Sequence, residues 1–343
     1  MKILFIGGTG TISMAISKLL LSKGHTLYLL NRGRRNTNLS GNLVELKVDI
    51  NNETAVSNLI RDLEFDSVAD FIAFGPKELE RDYRLFGDKT KQFIYISSAS
   101  AYQKPLANFR ITEGTPLANP YWEYSRNKIA GEEYLMKLYR ETGFPITIVR
   151  PSHTYSERSV PLGVHGDNGS YSVIKRMLEG KPIIIHGDGT SLWTLTHSSD
   201  FAKGFVGLIG NIHAIGEAVQ ITSDESLTWN QIYQIIADAL CVKLNAVHVS
   251  SEFLDACSPY DFAGSLLGDK ANTVVFDNRK LKRLVPDFTA TVRADQGIRD
   301  TVAYVLSHPE CQKEDPIFDA WCDKVVHAME CAVNSVRDED RAK

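Results

Sequence analysis

Tyr124 and Lys128 stand four residues apart in the run Tyr124-Ser125-Arg126-Asn127-Lys128. On a helix that spacing puts both side chains on one face. An ammonium beside a phenol favours the phenolate and lowers its pKa from about 10 toward neutrality. Such a pair suits general acid/base work on an alcohol–ketone couple. A serine cluster, Ser97-Ser98-Ala99-Ser100, precedes it and runs into Ala101-Tyr102. A hydroxyl at the end of a buried strand can hydrogen-bond a substrate oxygen, while Ser97 and Ser100 equally suit capping of the strand end.

A phosphate-binding pattern lies at Gly7-Gly8-Thr9-Gly10-Thr11-Ile12-Ser13, directly after one apolar run and at the start of a helical one. Glycines there allow positive φ and close approach of the backbone, and the free N–H groups of the helix start stabilise a pyrophosphate. A third glycine is expected where Ser13 stands. At the end of the second strand an acid would hold a free ribose 2′-hydroxyl and repel a 2′-phosphate. The residues present are Asn31, Arg32, Gly33, Arg34 and Arg35. With no acid and with guanidiniums suited to phosphate, of which Arg32 and Arg35 are taken as contacts, NADP(H) is favoured over NAD(H). Asp49 is placed either to accept from an adenine amino group or to cap the following turn. Ile50, Ala73 and Ser97, at other strand ends, complete the expected cofactor contacts.

These residues need a scaffold, and the hydrophobic pattern supplies one. Short apolar runs read as strands at Lys2–Ile6, His25–Leu30, Leu43–Val48, Ser67–Ala73, Gln92–Ser97 and Pro145–Arg150. Helical periodicity occupies Thr11–Lys23 and Glu53–Leu63 between them. Bare apolar strands alternating with helices imply a doubly wound α/β parallel sheet, with ligands at the strand C-terminal ends. After Pro151 the texture changes to Gly, Ser, His and Asp, with helices expected at Tyr171–Glu179, Ser199–Gly210, Thr228–Leu240 and Val292–Ser307. The expected organisation is a cofactor domain over 1–150 with a returning segment near 199–210. A smaller, interleaved α+β substrate-binding lobe takes 151–307, and a C-terminal helix and tail take 308–343.

Composition limits the remaining classes. The chain has 343 residues, 43% hydrophobic and 23% charged, which is an ordinary globular balance. Its 38 basic and 42 acidic residues leave a net charge of −4, so no global basic excess points to nucleic acid or membrane. No run reaches the roughly 20 apolar residues of a membrane span, and the first strand is too short for a signal-peptide core. Five cysteines without C-x-x-C spacing, and no His-x-x-x-His or carboxylate cluster, argue against disulfides and a metal site. A cytoplasmic protein with a small-molecule substrate is expected, with no membrane or nucleic-acid partner.

The glycine loop, the serines, Tyr124 and Lys128 combine with Arg150-Pro151-Ser152-His153-Thr154-Tyr155, and with Gly187-Asp188-Gly189 leading to His197 and Asp200. Over roughly residues 1–307 this set resembles the extended short-chain dehydrogenase/reductases, the superfamily of NAD(P)-dependent nucleotide-sugar epimerases and dehydratases. The resemblance implies a Rossmann-type fold with Ser98, Tyr124 and Lys128 as the catalytic set. Ser98 is chosen because it lies four residues before Tyr102, as in the epimerase pattern. By the same resemblance Lys128 also holds the nicotinamide ribose, and the turn with Pro151 and His153 lies near the nicotinamide. A homodimer through helices near Lys77–Phe86 and Ser125–Thr142 is also implied.

Two departures narrow the expectation. Ala99 and Ser100 occupy positions where the family's dehydratases carry an Asp-Glu pair, so the elimination step lacks its acid. Thr190-Ser191-Leu192-Trp193 follows Gly-Asp-Gly where sugar-nucleotide enzymes tend to place an arginine. Trp193 is a candidate for stacking on a substrate ring, with Ser98, Ser100 and His153 as further substrate contacts. Arg158, Lys175, Arg176 and Arg279 are the alternative cations. Tyr121–Glu123 and the neighbourhood of the glycine loop are also similar to chloroplast stem-loop-binding proteins, atypical members that bind RNA. The expected activity is hydride-transfer chemistry on a secondary alcohol or ketone, of a sugar, a nucleotide sugar or another carbonyl compound. A non-catalytic binding protein of the same fold is the other reading.

Overall fold

The computed structural model describes residues 1–33 and 39–341, with side chains through Arg337. The chain forms two compact units. Unit 1 comprises Met1–Tyr155, Thr194–Glu225 and Val274–Val292; unit 2 comprises Ser156–Trp193, Ser226–Thr273 and Arg293–Lys343.

Unit 1 is built on a seven-stranded sheet. Its strands are β1 (Lys2–Ile6), β2 (Thr26–Asn31), β3 (Leu43–Lys47), β4 (Ser67–Asp70), β5 (Phe93–Ile96), β6 (Ile146–Pro151) and β7 (Glu217–Ile221). The spatial order is β7-β6-β5-β4-β1-β2-β3, and every pairing is parallel. Parallel strands require crossovers, which cover both faces with helices. Ile3 to Ile6 and Val68 to Ala69 are accordingly fully buried. The outer β3 is partly exposed, and Glu45 and Lys47 protect that edge with charge.

The two sheet faces carry separate cores. On one, α1 (Thr11–Ser22) packs with α5 (Ser198–Leu208) through Ile16, Leu20, Phe201 and Phe205. On the other, α2 (Glu53–Leu59), α3 (Pro76–Phe86) and α4 (Glu123–Thr142) contribute Val56, Leu79, Phe86, Leu135 and Leu138. Gly131 permits the close seat of α4: a Cβ there would lie 2.9 Å from the Tyr95 hydroxyl and 3.0 Å from Leu79 Cδ1.

The six strands read from the apolar runs are present in this sheet within a few residues of the expected bounds. The fourth stops at Asp70 instead of Ala73, because the Asp70 carboxylate accepts the Ile72 and Ala73 N–H groups and turns the chain. The seventh strand, β7, had no counterpart in the sequence reading.

Unit 2 carries the helices Tyr171–Leu178, Trp229–Ala239, Ser251–Cys257 and Ala294–Ser307, with a π-helical segment at Ala263–Lys270. The last helix, Pro316–Arg341, belongs to this unit: Phe318, Trp321, Cys322, Val325 and Val326 are all buried. No helix among the described residues is long and apolar enough to cross a membrane.

Candidate active site

The candidate chemistry in unit 1 gathers at the C-terminal ends of β1, β4 and β5. After β1 the chain turns through Gly7 and Gly8, at φ +95° and +83°, conformations that L side chains rarely adopt. A Cβ on Gly8 would come within 2.7 Å of Leu29 Cδ2, and one on Gly7 within 2.8 Å of Ile72 Cγ2. The backbone itself is therefore the surface offered to a ligand. A cleft of about 640 Å³ opens over it, bounded by Thr9, Gly10, Leu30 to Arg32, Val48 to Asn51, Phe71 and Ile72. Bare glycine backbone at a helix N-terminus, facing a cleft of this size, fits a dinucleotide pyrophosphate.

Ser13, in place of a third glycine, changes that loop. Its hydroxyl accepts the Gly10 N–H at 2.9 Å and contacts the Gly10 carbonyl at 3.4 Å. One N–H of the loop is thus already satisfied by the protein. Thr11 and Ile12 form the first turn of α1, and Ile12 packs against the core instead of lining the cleft.

At the adenosine end Asn31 Oδ1 accepts the Gly33 N–H at 2.7 Å. Its Nδ2 is inaccessible to solvent and has no hydrogen-bond partner among the described residues. Arg32 is exposed and borders the cleft; Arg35 lies outside the described residues. Asp49 borders the cleft too, but its Oδ1 accepts the Asn51 N–H at 3.0 Å, so it caps the turn. Ile50 is buried beside it.

Helix α4 carries Tyr124 and Lys128 on one face. Lys128 is buried, and its ammonium donates to the Ala73 carbonyl at 2.7 Å and the Ile96 carbonyl at 2.8 Å. The rings of Tyr95, Phe74 and Tyr124 surround it at 4.9, 5.4 and 5.7 Å from their centroids. Burial pulls its pKa down to about 8, against the opposing charges of Asp70, Glu132 and Glu78. Tyr124 is half-buried, edge-on to Phe74 and 4.9 Å from the Trp122 ring.

Ser98 retains accessible surface, and its Oγ is 2.8 Å from Ser100 Oγ. The Ser125 hydroxyl donates to Ser100 at 2.8 Å, and Ser100 is only 3% exposed. Ser100, expected to touch substrate, has its hydroxyl enclosed between those of Ser98 and Ser125. Ser97 was expected to contact cofactor, but its side chain points inward and donates to Glu132 Oε1 at 2.5 Å. Glu132 is also gripped by Arg150, through Nε at 2.9 Å and Nη2 at 2.5 Å. Ala73 enters the site through its carbonyl, as the acceptor for Lys128.

Pro151 ends β6, and His153 begins a short strand that pairs with Leu195–His197. Pro151 is buried and His153 half-buried. His197 caps α5, its Nδ1 lying 2.7 Å from Ser199 Oγ. Asp200 is 1% exposed and ties the Thr291 and Val292 N–H groups to the same helix. In unit 2, Trp193 is 2% exposed and stacked on Trp229 at 5.5 Å. The expected stacking on a substrate ring is not what this geometry offers, because the indole is enclosed by packing. The alternative cations are also committed: Lys175 to Glu314, Arg176 to Asp319 and Asp323, and Arg279 to Asp277. Arg158 is exposed.

The sequence reading missed the support beneath this site. Asp70, 1% exposed at the end of β4, accepts the Ile72 N–H at 2.5 Å and the Ala73 N–H at 2.8 Å. Ala73 in turn receives Lys128. Beside Asp70, Asp82 accepts Arg81 Nε at 2.9 Å and Nη2 at 2.8 Å, while Arg81 Nη1 donates to Asn51 at 2.9 Å. One continuous polar chain thus runs from Asn51 at the cleft to Lys128. An acid as the last residue of a buried strand was its only visible signal.

Residues 3–222 match the family model described as the NAD dependent epimerase/dehydratase family. A 2′-dehydrokanamycin reductase of Streptomyces kanamyceticus is 24% identical over 84% of this chain and 80% of its own length. An uncharacterized UDP-glucose epimerase of Bacillus subtilis is 29% identical over 63% of this chain, and the match spans 60% of that protein. Among solved structures, the UDP-glucuronic acid 4-epimerase of Bacillus cereus in complex with NAD superposes with a TM-score of 0.70. That alignment has 21% identity and covers 91% of this chain and all of the other. With the Rossmann-type sheet and this match across most of the chain, the protein belongs to the NAD dependent epimerase/dehydratase family and is an enzyme of the short-chain dehydrogenase type.

Proposed function

We propose that this chain is an NADP(H)-linked oxidoreductase or epimerase acting on a secondary alcohol or ketone of a sugar or nucleotide sugar. The observation that carries the reading is the seat of Lys128, an ammonium held between two carbonyls and under three rings, one of them Tyr124. The bound nicotinamide supplies or accepts hydride at carbon. Tyr124 gives or takes the hydroxyl proton, and the Lys128 charge favours its phenolate. Ser98, oriented through Ser100 and Ser125, hydrogen-bonds the same substrate oxygen. If the ketone stays bound and returns by its other face the product is an epimer; if it leaves, the outcome is reduction or oxidation. Ala99 and Ser100 supply no acid for an elimination. The epimerase and reductase names among the relatives support both outcomes.

Asn31 and Arg32 support NADP(H): Asn31 stands where a carboxylate would repel a 2′-phosphate, and the exposed Arg32 guanidinium borders the cleft. Assembly as a homodimer through α3 and α4, and a cytoplasmic setting, belong to the same reading. The decisive experiment is turnover of UDP-hexoses and UDP-hexuronates with NADP⁺ or NADPH, followed at 340 nm and by NMR, in wild type and Tyr124→Phe. Loss of turnover by 10²-fold or more, with dinucleotide affinity retained, is expected. Unchanged turnover in the variant overturns the catalytic reading.

A further inference from the structure

Phe74 stands between β4 and α3 and is 57% exposed. It also lies against both groups of the proposed chemistry. Its ring centroid is 5.4 Å from the Lys128 ammonium, and it meets the Tyr124 ring edge to face, at 6.1 Å and 74° between planes. Tyr124 has a second aromatic neighbour, Trp122, whose half-buried ring lies 4.9 Å away at 46°. Phe74, Tyr124 and Trp122 thus form one continuous aromatic wall, and all three belong to unit 1.

The backbone under these rings is fixed. Phe74 is flanked by Ala73, whose carbonyl takes the Lys128 ammonium, and by Gly75, which caps α3 and donates its N–H to Glu78 Oε2 at 3.1 Å. Trp122 caps α4, and its N–H donates to Asn119 Oδ1 at 3.2 Å. Asn119 is 3% exposed and donates through Nδ2 to the Ser100 carbonyl at 2.9 Å. The segments that carry Lys128 and the serine cluster therefore also hold the two outer rings. Ile72, also exposed, bounds the dinucleotide cleft; Phe74 is not among the described residues that line it.

Large apolar side chains left in water beside reactive groups mark a surface that a ligand covers. The chemistry of the wall says which surface of a ligand it fits. The faces of the rings carry partial negative charge, which attracts the slightly positive hydrogens of C–H bonds. Phe74 has no hydrogen-bonding atom in its side chain, so a hydroxyl pressed against it loses water and gains nothing in return. A saturated ring has both kinds of surface, a C–H face and a hydroxyl-bearing rim. The wall favours the face.

We propose that Phe74 and Trp122 determine specificity: with Tyr124 between them they form a wall that takes the reacting ring of the substrate by its C–H face. The proposal rests on the reading of Tyr124 and Lys128 as the hydride-transfer pair, and adds that the reacting alcohol or ketone is borne on a saturated six-membered ring. Flat contact with two rigid rings fixes the tilt of that ring, and so sets which of its oxygens meets the Tyr124 hydroxyl.

The test uses the full chain saturated with NADPH, so that the dinucleotide cleft is occupied. The probes are UDP-glucose and methyl β-D-glucopyranoside, followed by calorimetry and by saturation-transfer NMR with irradiation of the protein's aromatic protons. The proteins are wild type, Phe74→Ala, Phe74→Tyr, Trp122→Ala and Ile212→Ala, the last replacing another exposed apolar residue of unit 1. With at least one probe, wild type is expected to pass saturation to the C–H protons of the hexose ring. F74A should lose that transfer and bind the probe about tenfold or more weakly, W122A should lose part of it, and F74Y and I212A should keep both. For any hexose that turns over, F74A should raise KM by the same factor and leave kcat nearly unchanged. Absence of ring transfer in wild type, or equal binding by F74A, overturns the proposal. So does a loss of NADPH affinity in F74A, which would put the nicotinamide on this ring, or a change in its oligomeric mass, which would put a second copy there. A melting point of F74A lowered by more than about 5 °C would make the ring a packing residue and overturns it as well. A Tyr124→Phe enzyme that still turns over, while ring transfer depends on Phe74, instead overturns the catalytic reading and leaves the wall standing.

Discussion

The cluster beneath the cleft contains one buried cation, Arg81, and two buried carboxyls, Asp70 and Asp82. Both acids keep a solvent-inaccessible Oδ2 without a hydrogen-bond partner among the described residues. With both ionised the cluster carries a net negative charge in a desolvated place; one proton makes it neutral. Burial, then the charge and hydrogen bond of Asp70, raise the Asp82 pKa well above the ordinary carboxyl value, and Arg81 only partly opposes them. Burial and Asp70 thus favour the protonated form of Asp82. Its folded pKa exceeds the unfolded value near 3.9, so the stabilisation is complete below that value and is lost as pH rises toward the folded pKa. The slope is about 1.4 kcal/mol per pH unit for one proton. Asp82→Asn keeps a donor toward Asp70 and an acceptor for Arg81, but cannot ionise. Relative to wild type, its stability should climb from near parity at pH 4 by about 1.4 kcal/mol per pH unit for as long as the folded group holds its proton. Urea unfolding of both proteins from pH 4 to 8 measures this directly. Parallel curves, or a variant several kcal/mol less stable at pH 7, would show an ionised Asp82 paired with Arg81 and refute the shared proton.

Two further outcomes follow from the same geometry. Glu132→Ala leaves Arg150 buried without its bidentate partner and removes the acceptor of Ser97, so a loss of about 3–5 kcal/mol in urea unfolding is expected. Asn31→Asp places a carboxylate where the proposed 2′-phosphate lies, and fluorescence titration should find NADPH weakened tenfold or more with NADH little changed.

Much of the frame was readable because a parallel sheet buries whole strands. Runs such as Ile3-Leu4-Phe5-Ile6 have no other use, and the turn after them announces its glycines. The strand Glu217–Ile221 escaped because Glu217 and Gln220 break its apolar character. Gln220 is nevertheless fully buried, since Tyr102 donates to its carbonyl at 2.8 Å and its amide donates to Ile111 and Asp277 carbonyls. A polar side chain satisfied by distant partners cannot be told from a surface one by pattern. The same holds at the site. Tyr124 and Lys128 have a spacing that speaks, whereas Asp70, Asp82 and Glu132 acquire their roles only from neighbours brought in by folding. Trp193 misled for the converse reason: an aromatic in a polar turn suggested an open ring, and a second indole covers it.

The parallel pairing of β6 with β7 has a consequence for synthesis. Chain leaving the ribosome completes β6 at Pro151, then continues through the first stretch of unit 2 before Glu217 to Ile221 emerge. Until then the β6 edge, whose residues end fully buried, has open N–H and carbonyl groups and an apolar surface. The last part of unit 1, Val274–Val292, arrives later still. A fragment ending at Tyr155 is thus not a miniature cofactor domain but a sheet with an adhesive side. In the interval between those two strands that open edge is exposed to aggregation and to capture by chaperones.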